Sequence, residues 1–308
     1  MIFGILFILS ACFCWGLIFV VPQFLSAYSA IEIALGRFFF FGVLSWIVLA
    51  TKKRHLLQRS YWLFWRKAIL LGFFATLVPY MGLVLCLRYA NPPVTALIYG
   101  LAPITISFCG NWKANSARLQ PFYLPGLLTL SGLVLTNLDA FYFIHGSSAY
   151  YFLGLLCAIG GLAAWTWYAV DNAAFMKKHP EISSLDWVTL IGSSTFLIVF
   201  TIVLCLLPFS ENPVFRSLES SFLLGSGILG VISTYAAFLF WNHGTRRLPI
   251  HLVGQLAVFE MLFGLLFIFF TEKRLPHVFE LGGILFILSA VLIVLRREQR
   301  MLKAGAFH

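Results

Sequence analysis

Charge is scarce in this sequence. Asp, Glu, Lys and Arg together supply 10% of the 308 residues, whereas a soluble domain carries about 25%. Apolar residues supply 61% of the chain, and 33 residues are Phe, against about 45–50% apolar residues in soluble proteins. A chain of this composition would expose a largely apolar surface to water, which excludes a cytosolic enzyme, a secreted domain and a disordered chain.

Features that mark catalytic sites are also missing. No nucleotide-binding fingerprint, Ser/His/Asp set or metal-ligand spacing occurs in the sequence. The six Cys lie inside apolar runs, where we expect free buried thiols. The longest connection between apolar runs, residues 51–67, is too short for a soluble recognition domain. We therefore expect no enzymatic activity, no metal and no cofactor.

Apolar runs of about 20 residues, each able to cross a bilayer core of roughly 30 Å, recur along the whole chain. We predict an all-α integral membrane protein with ten transmembrane helices, separated mostly by Pro, Gly and Asn. The predicted spans are residues 2–21, 30–50, 68–88, 94–112, 122–138, 149–170, 187–207, 221–241, 250–270 and 278–295.

The basic residues are distributed unevenly between the two sides of the predicted membrane. If the amino terminus is cytoplasmic, sixteen Lys and Arg residues fall on the cytoplasmic side, four fall on the other side, and Arg37 lies inside a span. This asymmetry follows the positive-inside rule. We predict a multi-pass protein of the plasma membrane, specifically a bacterial inner membrane, with both termini cytoplasmic. The net charge of +10 is then a topology signal, and the partner is the lipid bilayer and not nucleic acid.

Ten spans divide into two sets of five, residues 1–138 and 139–308. After five crossings the second set must enter from the other face, so homologous halves would form an inverted repeat. Pro103 lies 11 residues after the proline that opens the fourth span, and Glu260 lies 11 residues after the proline that opens the ninth. Other paired positions are Tyr80 with Tyr235 and Gly126 with Gly283.

Several short motifs occur in the order expected for a known family. They are Trp15-Gly16, Gly36-Arg37-Phe38-Phe39, Thr95-Ala96-Leu97 followed by Pro103, and Glu272-Lys273-Arg274-Leu275. In these motifs the sequence resembles the drug/metabolite transporter superfamily in its ten-helix form with two EamA-type repeats. The resemblance implies a transporter of small organic metabolites with a central cavity lined by both halves. The first half departs from the pattern, with Asn111-Trp112-Lys113 where the acidic–basic–Leu signature would lie.

Glu260 is the most informative single residue. It lies about halfway along the ninth predicted span, where an ionised side chain costs at least about 2.5–3.5 kcal/mol. The functional interpretation is a carboxylate that binds a cation or carries a proton. The structural interpretation is a buried hydrogen bond to a neighbouring helix.

Two other charged residues lie within or near the ends of spans. Asp171 shares a helix face with Gly160, Gly161, Ala164, Trp167 and Tyr168, and either lines a cavity or contacts Lys177 and Lys178 at the interface. Arg37 either binds a substrate carboxylate or pairs with Glu32 or an outer loop.

Aromatic residues in span interiors complete the predicted substrate site. Their rings could surround an ammonium group, an attraction worth about 2 kcal/mol when desolvated, although each could equally serve packing alone. The candidates are Trp15, Tyr80, Tyr99, Trp165, Tyr168 and Tyr235.

These observations favour a secondary transporter that works by alternating access on a small organic metabolite, driven by proton or substrate gradients or working by facilitated diffusion. A carboxylate among aromatic rings favours an amine, an amino acid or a cationic drug. The alternative is a neutral or anionic metabolite, with Glu260 structural. An intramembrane enzyme and a membrane receptor fit less well, because the acids are isolated and the loops are short. We expect a monomer or a weak homodimer.

Overall fold

The computed structural model describes residues 1–90, 92–113, 123–136, 149–206 and 219–303. Within these ranges nine helices are long and apolar enough to cross a membrane, and a tenth apolar helix is shorter. The protein is therefore an all-α, ten-helix membrane protein, as predicted. The predicted boundary between residues 138 and 139 lies outside the described residues. The helices are α1 (Ile2–Leu25), α2 (Ala30–Lys52), α3 (Arg59–Tyr89), α4 (Val94–Lys113), α5 (Tyr123–Thr136), α6 (Tyr150–Lys178), α7 (Ser184–Cys205), α8 (Ser220–Thr245), α9 (Ile250–Glu272) and α10 (Val278–Arg297).

Two helices are longer than their predicted apolar spans. Helix α3 begins at Arg59 and not at residue 68, and α6 continues to Lys178 and not only to residue 170. The extra turns carry Trp, Arg and Lys side chains, which are stable at the membrane–water interface. A search for apolar runs counts only the part of a helix that lies in hydrocarbon, so it ends these helices too early.

Helices α3 and α8 each contain a π-helical segment. In α3 it covers Phe73–Leu77, and in α8 it covers Ile228–Ala236. A π segment locally changes the direction in which side chains project and is frequently found at functional sites. Each π segment lies at a candidate tyrosine. In α3 it directly precedes the segment that carries Tyr80, and in α8 it includes Tyr235.

Helices α4 and α9 are each interrupted by one residue. Helix α4 consists of Pro92–Gly100 and Ala102–Lys113, with Leu101 between them. Pro103 explains this interruption, because proline lacks the N–H that would bond to residue 99 and its ring clashes with that carbonyl.

Helix α9 has no proline at the matching place. It consists of Ile250–Ala257 and Phe259–Glu272, with Val258 between them. The thiol of Cys12 on α1 donates to the carbonyl oxygen of Leu256 at 3.5 Å. A neighbouring helix thus supplies a partner to a backbone carbonyl beside the interruption, a requirement of irregular backbone inside a membrane.

Five of the extensive helix contacts join the first five helices to the second five: α1 with α8, α2 with α7, α3 with α6, α4 with α9, and α5 with α10. Helix α1 also packs extensively against α9, and α2 against α8. In the α5–α10 pair the two backbones meet at glycines. A Cβ atom on Gly132 would lie 2.7 Å from the carbonyl oxygen of Gly283, and one on Gly283 would lie 2.6 Å from that of Gly132. Both positions therefore require the small residue that close helix packing in membranes favours.

The bundle has two ends that the contacts identify. Gly4 of α1 lies against Leu248, which follows α8, and Lys177 of α6 donates from Nζ to the Leu248 carbonyl at 2.8 Å. The start of α1 and the ends of α6 and α8 therefore share what we call the amino-terminal end. The opposite end holds Ala30, where α2 begins, and Lys273, which ends α9.

Candidate substrate-binding site

An aromatic cluster occupies the centre of the bundle. The ring of Trp15 on α1 lies 5.6 Å from Trp165 on α6 and 5.2 Å from Trp241 on α8. Tyr168 lies 5.3 Å from Trp165. The structure thus brings together three of the predicted aromatic candidates, Trp15, Trp165 and Tyr168, from two different helices.

Tyr235 belongs to the edge of this cluster. Its ring lies 6.2 Å from Phe41 on α2, and Phe41 lies 5.9 Å from Phe238 of the cluster. Its hydroxyl is 3.2 Å from the hydroxyl of Thr189 on α7. Because its polar tip already has a partner, Tyr235 contributes mainly an apolar ring to the centre.

Glu260 lies in the first turn of the second segment of α9, two residues beyond the interruption at Val258. Its side chain is half-buried, and among the described residues no hydrogen bond or ion pair reaches its carboxylate. The start of a helical segment carries a partial positive charge of roughly half an elementary charge, which favours an ionised carboxylate there. The structure therefore presents Glu260 as an acceptor that is not committed to a protein partner.

Arg37 lies on α2 and is held by α8. Its Nε donates to the Thr234 hydroxyl at 2.7 Å, and a terminal nitrogen donates to the Ser233 carbonyl at 3.4 Å. The predicted structural partner of Arg37, Glu32, instead forms a capping box with Ser29 at the start of α2. Arg37 also lies within electrostatic range of Glu260 and Tyr80. Charges of both signs therefore lie near each other inside the bundle.

Tyr80 on α3 lies within electrostatic range of Arg37, near the start of α2. Its hydroxyl donates to the carbonyl oxygen of Ala30 at 2.5 Å, and its ring packs edge-on against Phe38 at 6.0 Å. Tyr80 is thus near the charged pair but uses its hydroxyl to join α3 to the start of α2.

Two candidates lie away from the central group. Tyr99 donates its hydroxyl to the Pro79 carbonyl and packs in a small cluster with Cys86 and Ala158, where α3, α4 and α6 meet. Its hydroxyl occupies the space left by Gly161. The structure therefore gives Tyr99 a packing role, and the sequence-based grouping of Tyr99 with the other aromatic candidates does not appear in the geometry.

Asp171 lies towards the amino-terminal end and forms two ion pairs. Its carboxylate oxygens are 2.5 Å from Lys67 Nζ on α3 and 2.8 Å from Lys113 Nζ on α4. One of the two interpretations of Asp171 was contact with Lys177 and Lys178, but Lys177 donates to the Leu248 carbonyl instead. Lys177 is six residues further along α6, which at 100° per residue places it on a different face of the helix from Asp171.

Sequence analysis missed a polar chain beside the aromatic cluster. Trp187 Nε1 on α7 donates to Asn172 Oδ1 on α6 at 2.6 Å. Asn172 Nδ2 donates in turn to Asn242 Oδ1 on α8 at 2.8 Å. All three side chains are fully buried. The available signal was weak, because Asn172 and Asn242 each lie one or two residues beyond the end of a predicted span, and only the longer helices of the structure place them inside the bundle.

The fold and these buried polar groups define a multi-pass membrane protein with polar side chains inside its helix bundle. Residues 2–138 match the model of the EamA-like transporter family, the family whose repeats its motifs resemble.

Individual relatives support this classification. The inner membrane protein YtfF of Escherichia coli (strain K12) is 28% identical over 322 aligned positions, covering 97% of this chain and 96% of YtfF. YdzE of Bacillus subtilis (strain 168), described as permease-like, is 36% identical over 77 residues, which cover 25% of this chain and 97% of YdzE. A crystal structure with 19% sequence identity has the same fold, with a TM-score of 0.78 over 97% of this chain and 98% of its own.

Proposed function

We propose that the protein is a secondary transporter that moves a small amino-acid-like zwitterion by alternating access. Residues 1–138 and 139–308 are its two inverted repeats, and both termini lie in the cytoplasm of a bacterial inner membrane. The chain works as a transporter and not as an intramembrane enzyme or a receptor. It functions as a monomer or a weak homodimer, and protons are a candidate coupling ion.

Matching irregularities in the two halves support the inverted repeat. Leu101 interrupts the fourth helix and Val258 the ninth, and Pro103 and Glu260 each follow the interruption by two residues. The third and eighth helices share a π segment. Such shared departures from regular helix are more informative than shared apolar residues, which all membrane helices have.

The helix pairs have the symmetry that an inverted repeat requires. Exchanging the halves converts the α1–α8 pair into the α6–α3 pair, and it leaves α2–α7, α4–α9 and α5–α10 unchanged; all five pairs occur. In a pair that is related to itself, equivalent residues meet at the crossing. Since Gly132 meets Gly283, Gly132 is the better equivalent of Gly283, and the sequence-based match of Gly126 with Gly283 needs a shift of six residues.

The substrate class is inferred from the two charges near the middle of the bundle. Glu260 has an uncommitted carboxylate, and Arg37 is held by Thr234 within electrostatic range of it. A simple amine placed at Glu260 would be repelled by Arg37, and a simple anion at Arg37 would be repelled by Glu260. A zwitterion places an ammonium group at Glu260 and a carboxylate at Arg37, and it needs no net charge transfer into the membrane.

The single observation that carries this proposal is the uncommitted carboxylate of Glu260 beside the fixed guanidinium of Arg37. The cationic alternatives, an amine or a cationic drug, use Glu260 alone. The remaining alternative is a neutral or anionic metabolite, for which Glu260 would be structural.

The test is uptake by purified protein in proteoliposomes, with the twenty amino acids and their decarboxylated amines as substrates. We expect uptake of a subset of amino acids and weak uptake of the matching amines. Glu260→Gln keeps the shape of the side chain and removes the charge, so we expect amino-acid uptake to fall by about 100-fold or more, the loss of a charge-assisted contact.

Glu272→Gln is the matched control, because Glu272 lies on the same helix but is exposed and pairs with Arg274. Its uptake should equal that of the wild type. Preferred uptake of amines over amino acids would replace the zwitterion with a cation. Undiminished uptake by Glu260→Gln in a stable protein would remove Glu260 from the site.

A further inference from the structure

The polar chain of Trp187, Asn172 and Asn242 has a fixed direction. An indole N–H can only donate a hydrogen bond, so Asn172 must offer its oxygen to Trp187 and its amide nitrogen to Asn242. Asn242 therefore accepts with Oδ1, and its Nδ2 is left as a donor at the end of the chain. Within the described residues this nitrogen is buried and has no hydrogen-bond partner.

Two further buried groups near Asn242 also lack partners among the described residues. They are the hydroxyl of Tyr168 and the Nε1 of Trp241, and all three side chains are fully buried. A helix contact that serves packing alone seldom retains several unpaired donors in one place, because each loses its bond to water without replacement.

These groups lie along one seam between α6 and α8. Tyr168 and Asn172 are one turn apart on α6, and Phe238 and Asn242 are one turn apart on α8. The rings of Tyr168 and Phe238 are 5.8 Å apart, and Asn172 bonds to Asn242 one turn further towards the amino-terminal end. The seam thus leads from the central aromatic cluster towards that end.

Ion pairs close the bundle beside the seam. Asp171, the neighbour of Asn172, binds Lys67 at 2.5 Å and Lys113 at 2.8 Å. The lysines belong to α3 and α4 in the first five helices, and Asp171 belongs to the second five. Separating the two sets at this end therefore requires that these ion pairs break.

We propose that the seam between α6 and α8 is the amino-terminal half of the transport pathway and that the ion pairs of Asp171 hold it shut in this structure. When it opens, the free donors of Tyr168, Trp241 and Asn242 bind the carboxylate of the substrate as the substrate passes between that end and the site at which Arg37 holds the same carboxylate. These three side chains offer N–H and O–H groups and carry no charge, which suits a hydrogen-bond acceptor that must bind and then leave. This inference rests on the proposed function for its substrate but not for its pathway.

Cysteine accessibility tests the pathway without any substrate. In protein whose six native Cys are replaced by Ala, we expect Asn242→Cys to react slowly with a small thiol reagent. Adding Asp171→Asn should raise the labelling rate by about tenfold, because the closed state loses two partly exposed ion pairs. Asn172→Cys gives a second position on the same seam if the first variant does not fold.

Thr129→Cys is the matched control. Thr129 is equally buried, but it lies on α5 and bonds within its own helix to the Pro125 carbonyl. It should stay unlabelled with and without Asp171→Asn. Two results would overturn the pathway. One is a labelling rate at position 242 equal to that at position 129, and the other is a rate at position 242 that Asp171→Asn does not change.

A second experiment tests the carboxylate contact. Asn242→Asp keeps an oxygen to accept from Asn172 and replaces the free N–H₂ group with an acceptor that repels a carboxylate. Uptake of the amino acid that the wild type moves fastest should fall by about tenfold or more. Tyr168→Phe, which removes one donor without adding charge, should give a smaller fall in the same direction.

Uptake by both variants within about twofold of the wild type would overturn the carboxylate contact. A wild type that moves no amino acid contradicts the proposed function and the carboxylate contact together. The labelling result still decides the pathway in that case, so the failure of one idea is distinguishable from the failure of the other.

Discussion

The two ends of the bundle are held together differently. At the amino-terminal end, ion pairs join the first five helices to the second five; they are Lys53 with Asp186, and Lys67 and Lys113 with Asp171. At the opposite end, the ion pairs among described residues stay within the connection from α9 to α10, where Arg274 binds Glu272 and Glu280. A contact within one half moves with that half, whereas a contact between halves must break when they separate.

Among the described residues, helices at the opposite end are joined by hydrogen bonds and not by ion pairs. Tyr80 donates to the Ala30 carbonyl within the first five helices, and Arg37 reaches across to the Thr234 hydroxyl. Hydrogen bonds to hydroxyls and carbonyls are weaker than ion pairs and easier to exchange for water. Under the proposed alternating access, this difference favours a state that ion pairs hold closed at the amino-terminal end.

The largest effect should come from removing the shared acid of the amino-terminal end. Asp171→Asn leaves Lys67 and Lys113 without a counter-charge, and we expect a loss of about 2 kcal/mol in the free energy of unfolding, reduced from the buried-pair value because Lys113 is half exposed. Thermal unfolding in detergent measures it. A variant as stable as the wild type would show that these pairs do not hold the closed state.

A smaller effect is expected for the other ion pair between the halves. Lys53→Met keeps the apolar stem of the side chain and leaves Asp186 bonded to Ser183, so the loss should be about 1 kcal/mol. Because Asp186 retains one partner, the same unfolding measurement should rank this variant between Asp171→Asn and the wild type. If Lys53→Met is less stable than Asp171→Asn, the ion pair between α2 and α7 holds this end closed more strongly than the ion pairs of Asp171 do.

Charge removal at the opposite end should change stability little and leave closure unaffected. Hydrogen bonds to Glu280 and then to Glu272 raise the pKa of Arg274 above its usual value, so this residue stays charged at every working pH. Arg274→Gln should cost about 0.5 kcal/mol or less because the guanidinium is partly exposed. Added to the Asn242→Cys protein, Arg274→Gln should leave the labelling rate unchanged; faster labelling would contradict the difference between the ends.

The smallest effect concerns acidity at the amino-terminal end. His179 Nδ1 lies 2.7 Å from Oε1 of Glu181, and the hydrogen bond that it donates to the carboxylate lowers the pKa of the Glu181 carboxyl below its usual value. A lowered carboxyl pKa stabilises the fold above the unfolded-state pKa, and this stabilisation is lost as the pH falls through the folded-state pKa.

Unfolding curves of the wild type and Glu181→Gln should therefore differ slightly at neutral pH and converge as the pH falls through the lowered folded-state pKa of Glu181. Because Glu181 is fully exposed, only the direction is expected to be measurable. A stability difference that grows on acidification would have the wrong sign and would show that this contact does not stabilise the fold.

Local composition was sufficient to predict the helices but not the contacts between them. Apolar runs and turn residues predicted ten spans, and the isolated acid at position 260 predicted a polar centre. The interruption at Val258 could not be predicted, because no proline or glycine signals it and Cys12, 244 residues away in the sequence, bonds to the carbonyl beside it.

Pairing across the bundle likewise depends on the third dimension. Asp171 was expected to meet the lysines that follow it in α6, yet its partners come from α3 and α4. Asn172 and Asn242 are unremarkable as single residues in a sequence, and they become a chain only when α6 and α8 lie side by side. Which side chains share a helix face was predictable; which faces meet was not.

The chain of Trp187, Asn172 and Asn242 also has a consequence for proton movement. A hydrogen-bonded wire conducts protons only if every member can accept one on one side and release one on the other, as water and imidazole do. An indole and two carboxamides do not exchange protons in this way, so the chain is an insulator. A proton that crosses this half of the bundle has to travel on water or on a titratable side chain, and closing the seam to water closes it to protons as well.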